Sequence, residues 1–527
     1  MTDDSMLHYF KPQWIQPSDE TLTAEVCVYG GTAAGVIAAV TAAARGKKVI
    51  LLHPGHVLGG VTTGGLSFTD YGKKHVIGGR SRQFYRDLGK AYGREEEWLF
   101  TPTVAQTVID GYIKAAGVPV RLMQYLQTAE MDGPRIRALR MLGGLRVQAA
   151  MFIDATYEGD LMASAGVTYT VGRESNAIHG ETVNGVQVRK THQFSHAVDP
   201  YVKPGDPRSG MLPWIDPRDA EPAGSGDARI QAYNFRICMT DDPTLRIAWE
   251  KPQGFDEREY ELARRWFNGE KDQYNEQLPP DGSSQGLIRK FDPMTPRTPD
   301  GFIKTDTNNH GAVSSDYIGA NYGWPEGSYP QREVIFQNHV RYQKGLYWFL
   351  ANDESIPSRY RQAYARFGLA KDEFVSTGGW SHQLYVREAR RMVSDYILSE
   401  VDTQHRRKAE DSVGMGSYNM DSHNCRRFMR DGRVLNEGDV QLAPAGPYPV
   451  SYRSLVPRRG QCANLLVPVC IAASHIAYGS VRMEPVFMVL AESAGLAAAL
   501  AIDAAAAVQD VPYARLRAEL DKAQQVV

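Results

Sequence analysis

Gly30-Gly31-Thr32-Ala33-Ala34-Gly35 is the stretch whose residue types and spacing point most directly to chemistry. Its glycines permit a tight turn that side chains would block. Free N–H groups at the start of a following helix, aided by the helix dipole, suit a pyrophosphate. Thr32 stands where G-x-G-x-x-G has its second glycine, so its side chain must turn away from the phosphates. A second run, Gly59-Gly60-Val61-Thr62-Thr63-Gly64-Gly65, offers more backbone donors and two hydroxyls. His53-Pro54 falls between the two runs, where an acid usually holds ribose hydroxyls; a neutral His accepts one such bond. Asp154, Ala155 and Thr156 are placed for a backbone contact with a diphosphate, with Asp160 orienting their loop or capping the helix behind it. Two histidines, His475 and His423, have the near-neutral titration that a general base needs. His475 is the first choice, because it lies just ahead of Arg482-Met483-Glu484-Pro485 and the long helix there. Glu158, Arg387 and Asn424 are the side chains expected to face a substrate. His423 with Cys425 lacks the further ligands of a metal site, so no metal is expected.

The elements that must position these residues follow from periodicity. Val26 and Val28 suit a buried strand, and Val36 to Arg45 an alanine-rich helix. Lys47 to His53 then returns as a second strand. Strand, glycine turn, helix and strand together make a dinucleotide-binding unit. Val104, Val108, Ile109, Tyr112 and Ile113 predict a helix stopped at Gly117, and Val118 to Leu122 a strand. Thr128 to Ala150 predicts a hairpin, and Met151 to Ala155 a further parallel strand whose end lies at the ligand-binding edge. The βαβ rhythm fades near residue 176. Residues 230–240 alternate like a strand, and Thr305 to His310 with Tyr317 to Trp324 suits a polar, hydroxylated ligand clasped by aromatic faces. Ile335, His339, Tyr342, Leu346 and Phe349 predict one stripe of a long helix with His339 at the core edge. A second helix is predicted over Tyr385 to Ser399, with Arg387 and Glu388 facing a ligand or forming a surface ion pair. Residues 414–428 read as a polar loop, Pro444 to Tyr452 as a connector, and Leu465 to Cys470 as a returning strand. Pro485 suits the first turn of the long alanine-rich helix, whose positive end can stabilise negative charge on a ligand.

Composition bounds the rest. The chain has 527 residues, 43% hydrophobic and 23% charged, with net charge −2. That size implies two closely packed domains, and that charge gives no reason to expect nucleic acid or an anionic membrane as partner. Five cysteines without a C-x-x-C pair fit a reducing, cytoplasmic setting. Met1 to Ser5 is acidic and unlike a secretory leader. Val486 to Val508 is apolar but carries Glu492 and Asp503 and is mostly alanine, which predicts a buried helix and no membrane span.

The second glycine run separates two readings. A nicotinamide domain has no need of it, whereas FAD must run past backbone toward a buried ring. The chain resembles the FAD-dependent oxidoreductase family whose members begin with a GGT-x-AG turn and continue with a GG-x-T-x-GG loop. The likeness continues through Val76 to Gly79, Gln83 to Tyr85, Phe152 to Leu161 and Tyr233 to Arg236. It extends through Gly345 to Asp353, Gln383 to Met392 and Ser474 to Val489, and is weakest over 175–230. In that family a Thr at position 32 is ordinary; the acid often found where His53 stands is absent here. The resemblance implies an α/β fold with a discontinuous Rossmann-like FAD domain, 20–175 and 451–527, around an inserted α+β substrate domain, 176–450. It implies FAD as cofactor and hydride transfer from a small-molecule substrate to flavin N5. A carbohydrate or polyol is the substrate expected from the polar middle region. An NAD(P)-dependent dehydrogenase and a non-catalytic nucleotide-binding scaffold are the alternatives.

Overall fold

The computed structural model describes residues 6–269, 291–293 and 301–527; Met1 to Ser5, read above as unlike a leader, lie outside the described residues. Its first layer is a seven-stranded sheet. β1 (Thr21–Tyr29) pairs in parallel with β2 (Val49–Leu52), and β2 with β3 (Val120–Arg121). On its other side β1 pairs in parallel with β6 (Arg146–Asp154), Tyr29 lying beside Leu52 on one flank and Asp154 on the other. The loops after β1, β2 and β6 therefore open at one carboxyl edge, where open α/β sheets bind ligands.

The predicted hairpin and the predicted parallel strand are one continuous feature. β4 (Leu126–Asp132), β5 (Arg135–Met141) and β6 form an antiparallel meander, turning at Asp132-Gly133 and Gly143-Gly144. The amino half of β6 pairs with β5, and its carboxyl half with the returning strand β7 (Leu465–Leu466). A strand buried along both edges needs apolar residues at its end, and Met151, Phe152 and Ile153 supply them.

Helices cover this sheet. α1 (Ala33–Ala44) follows the glycine turn, α2 (Gly60–Thr63) is one turn within the second glycine run, and α3 (Gly79–Ala91) follows. α4 (Pro102–Ala116) ends at Gly117, whose φ of 63° is the left-handed cap a glycine takes without strain. α5 (Asp160–Ser164) starts after Gly159, which is its N-cap; the expected capping by the Asp160 side chain does not occur. α6 (Tyr329–Asn352) contains the predicted stripe, with His339, Tyr342, Leu346 and Phe349 buried. His339 turns its Nδ1 to the Ile335 carbonyl oxygen, 2.8 Å away, as a core histidine does.

After the return strand comes a short helix, α7 (His475–Val481), which the sequence reading did not separate, and then the long helix α8 (Glu484–Asp503), with Pro485 in its first turn as expected. Among the described residues α8 alone is long and apolar enough to cross a membrane, and 94% of its apolar window is buried inside the protein. It lies against α1, where a Cβ on Gly495 would come within 2.8 Å of the Ala38 carbonyl oxygen.

Four expectations in the middle of the chain are corrected. Tyr385 to Ser399 is not a helix: strands Leu384–Tyr385 and Arg391–Met392 are joined by extended chain, and Arg387 and Glu388 are buried without pairing on the surface. Helical periodicity misled there because charges face inward to partners from other segments. Residues 414–428 are not a loop but parts of strands Ser412–Gly416, Met420–Ser422 and Arg426–Arg430. The connector Pro444 to Tyr452 contains strand Tyr448–Ser451, which pairs with Ser412–Gly416. Of residues 230–240 only Asn234–Phe235 and Met239–Thr240 form strands.

Candidate functional site

The first glycine turn is a cradle built by contact. Gly30 has φ 104°, and a Cβ there would lie 2.6 Å from the Ala155 carbonyl carbon and the Thr156 nitrogen. A Cβ on Gly35 would overlap the Gly30 carbonyl oxygen. Thr32 caps α1: its hydroxyl accepts from the Gly35 N–H at 3.1 Å and donates to the Ala155 carbonyl at 2.8 Å. Its side chain thus turns into the protein, away from the groove. His53 Nδ1 accepts the Gly31 N–H at 2.9 Å, and burial pushes its pKa down to about 4, so it props the turn as a neutral ring. A hydrogen bond to the Val57 backbone engages the ring as well, so both sides of the imidazole hold the protein's own loop. The groove beside the turn is lined by Gly30, Thr32, His53, Pro54, Thr156 and Glu158. It is narrow, about 50 Å³, with Tyr9 and His382 at its walls. A turn with no room for a Cβ at Gly30, Gly31 or Gly35 that opens onto the amino end of a helix fits the diphosphate of FAD.

The second glycine run is tied to the first, the Gly59 N–H donating to the Gly31 carbonyl at 2.7 Å. Glu484 draws three segments together. It accepts from the Thr62 hydroxyl at 2.6 Å and the Tyr157 hydroxyl at 2.8 Å, and the Tyr157 oxygen accepts from the Val61 N–H at 3.0 Å. Burial pushes Glu484 up to about 7. Thr62, Val61 and Glu484 are therefore engaged with one another. Gly64 accepts from the Ser381 hydroxyl at 2.7 Å, and Gly65, at φ 103°, leaves no room for a Cβ beside the Arg236 carbonyl.

The loop after β6 is held internally. Asp154 accepts from the N–H and hydroxyl of Thr156 at 3.0 and 2.6 Å and from the Met162 N–H at 2.8 Å; burial lifts it to about 6. Asp160 pairs with Arg332 at 2.6 Å and with Arg390 at 2.8 Å. Glu158 faces the groove and accepts from the Trp324 indole N–H at 3.2 Å; burial raises it to about 7, with Arg332 pulling the other way. Met483 is the N-cap of α8, and the Pro485 carbonyl accepts from Ser81 at 2.8 Å. Arg482 donates to the Tyr385 hydroxyl at 3.1 Å and to the Asp421 carbonyl at 3.1 Å.

A second cavity, about 300 Å³, lies beside this region, lined by Asp70, Arg236, Asn308, Tyr418, Asp421 and His423 among others. His423 Nδ1 is 2.7 Å from Asp316 Oδ2, and Arg387 is 2.9 Å from the other Asp316 oxygen. Burial alone would raise Asp316, but Arg387 and His423 outweigh it and hold the carboxylate ionised, below its ordinary range. His423 Nε2 lies 3.6 Å from Asp421 Oδ2 at the pocket wall. A carboxylate that fixes one ring nitrogen leaves the other to exchange a proton with a ligand.

The two candidate histidines differ in what surrounds them. His475 is buried, its Nδ1 at 2.8 and 2.9 Å from the Glu388 oxygens and its Nε2 at 3.1 Å from the Ser422 hydroxyl. Both nitrogens are spoken for, and the residue does not line the pocket. Asn424, expected to face a substrate, does not line the pocket: its backbone carbonyl accepts the Ala232 N–H at 3.0 Å, and its side chain is buried without a hydrogen-bond partner. Arg387 acts on the pocket through Asp316 and does not line it. Sequence reasoning missed Asp316, Asp70 and Asp421 as site residues, although Asp421 lies within the polar stretch 414–428 and Asp316 just ahead of Tyr317 to Trp324. The only local signal for Asp316 is its place before Tyr317 to Trp324.

The sequence profile of a family described as FAD dependent oxidoreductase matches residues 25–520. No curated protein matches the sequence. Among solved structures, L-proline dehydrogenase from P. horikoshii is 14% identical with a TM-score of 0.24, over 30% of this chain and 59% of that one. The 3-ketosteroid-delta4-(5alpha)-dehydrogenase from Rhodococcus jostii RHA1 is 15% identical, TM-score 0.20, over 27% and 48%. NikD, an amino acid oxidase, is 16% identical, TM-score 0.22, over 29% and 57%. The chain thus spans between 48% and 59% of the length of these structures.

Proposed function

Since this chain belongs to the FAD dependent oxidoreductase family, we propose that it oxidises a small polar substrate held in the pocket beside His423. Bound FAD supplies a hydride acceptor at N5. The substrate loses a hydride from a C–H bond and a proton from the adjoining O–H or N–H. His423 Nε2 takes that proton, while Asp316 holds Nδ1–H and Arg387 keeps Asp316 ionised. The observation that carries this reading is the His423–Asp316 pair at the wall of a polar cavity. Asn308, Asn309, Asn419 and Gln441 add amide donors and acceptors there, which supports a polyhydroxylated substrate of the carbohydrate or polyol kind. Five free, buried cysteines support a cytoplasmic setting.

The test is anaerobic mixing of the yellow protein with sugars, polyols and amines, following bleaching of the flavin's visible band. A polyol is expected to bleach it, and His423→Asn to slow bleaching by roughly 10²–10⁴-fold with FAD retained. Equal rates in the two proteins would remove His423 from the reaction, and bleaching by amines alone would overturn the polyol assignment.

A further inference from the structure

One face of a two-stranded ribbon forms a wall of the His423 pocket. Strands Met420–Ser422 and Val440–Leu442 run antiparallel, with Asp421 opposite Gln441 and Ser422 opposite Val440. The same register carried one step further sets His423 opposite Asp439. Side chains alternate between the two faces of a strand. Asn419, Asp421 and His423 accordingly share a face with Asp439 and Gln441, and all five line the cavity. Met420 and Val440 point the other way and pack with Val183 and Ile476. The ribbon therefore presents a row of hydrogen-bonding groups whose spacing is set by the strands.

Asp439 is the member of this row prepared for a ligand. It is 2% exposed, and the Thr191 hydroxyl donates to its Oδ2. Its Oδ1 lies 4.0 Å from His192 Nε2, beyond hydrogen-bond reach, and no other described residue donates to it. A buried carboxylate oxygen without a donor is costly unless a ligand supplies one. The pocket's other carboxylates are engaged by the protein: Asp421 lies 3.5 Å from Arg482, and Asp70 accepts from the Tyr418 hydroxyl at 2.9 Å. Phe68 is the one wholly apolar side chain among the described residues that line the cavity, and it is 41% exposed. The cavity thus sets a single apolar surface against polar walls.

Building on the reading of this cavity as the substrate pocket, we propose that its ligand is a neutral cyclic sugar, with a C–H face on Phe68, one hydroxyl on His423 Nε2 and the neighbouring hydroxyl donating to Asp439 Oδ1. A sugar ring carries hydroxyls around its rim and C–H bonds on its faces, whereas an open-chain polyol turns hydroxyls to every side. The ring also holds neighbouring hydroxyls in a fixed relation. That suits two acceptors fixed across a strand pair, where opposite residues lie roughly 4.5–5.5 Å apart. Asp70, Asp421 and Asp439 disfavour an anionic ligand, since Arg236, the one cation always charged among the lining residues, is paired with Asp306.

The test is anaerobic calorimetric titration of the FAD-loaded protein with D-glucose, D-galactose and D-xylose, and with the matching alditols D-glucitol, galactitol and xylitol. At least one sugar is expected to bind about tenfold or more tightly than its alditol, and Asp439→Asn and Phe68→Ala are each expected to weaken that binding about tenfold. Phe68 is exposed, so its replacement leaves the fold intact and keeps the result readable. Alditols that bind as tightly as the sugars, no binding by any of the six, or unchanged affinity in Phe68→Ala would each overturn the proposal. The flavin's visible band, followed in the same samples, separates this inference from the oxidation it builds on. Sugar binding without bleaching would refute the oxidation and uphold the sugar site, whereas bleaching by alditols alone would uphold the oxidation and refute the ring.

Discussion

Glu484 is a carboxyl group whose charge the fold controls, lifted by burial from an ordinary 4.5 to about 7. The folded protein therefore holds this proton more tightly than the unfolded chain does. Its contribution to stability is complete below about pH 4.5 and is lost as pH rises through about 7, a fall on the order of 3 kcal/mol. Urea midpoints at pH 5 and pH 7.5 check this: Glu484→Gln is expected to lose clearly less stability across that interval than the wild type. The histidines are told apart in the same way. Glu388 is buried, and His475 with Arg391 keeps it ionised against that burial. His475→Ala strands much of that charge and is expected to cost about 3–5 kcal/mol in thermal or urea unfolding, with little change in the rate of flavin reduction per folded molecule. His423→Asn is expected to do the reverse. Equal effects of the two substitutions on rate would refute the division of roles.

Elements act here through close approach. α1 begins where Gly35 meets the Gly30 carbonyl, so even Gly35→Ala must push the helix off the turn. We expect that variant to purify colourless and to take up no added FAD; a yellow Gly35→Ala protein would show that the turn tolerates the shift. α5 and α6 are joined by a partly buried carboxylate between two guanidiniums, Asp160 with Arg332 and Arg390. Arg332→Met leaves Asp160 with one partner and Glu158 without its nearest cation, and is expected to destabilise by about 3–5 kcal/mol. The local part of these elements was legible in the chain. Val26 to Tyr29, the Gly30 turn and the alanines of α1 obey rules that act over a few residues. Tyr385 to Ser399 was not legible, because its charges pair with segments far away in sequence and so imitate a surface helix.

For the whole molecule, the first described segment is a strap across the glycine-turn groove. The N–H groups of Tyr9 and Phe10 donate to Glu333 of α6 at 2.7 and 3.0 Å, and His8 meets the same carboxylate at 2.6 Å. His8 and Tyr9 also line the groove. Glu333→Ala frees three contacts at once and is expected to speed FAD loss on dilution by about tenfold or more, read from the flavin fluorescence released; an unchanged loss rate would show that the strap does not retain the cofactor.

The sequence by itself determined the dinucleotide-type unit, the family, a long helix carrying Ile335 to Phe349 and the two histidines worth considering. The unit and the helix rest on glycine conformation and periodicity, which operate between near neighbours; the family rests on a resemblance of motifs, and the histidines on their residue type. Only the tertiary structure decided which histidine meets a pocket. Asp316 lies 107 residues from His423, and Glu388 lies 87 from His475. Nothing local encodes such a pairing, because it is selected by the cost of burying a charge without a partner once the segments have packed together.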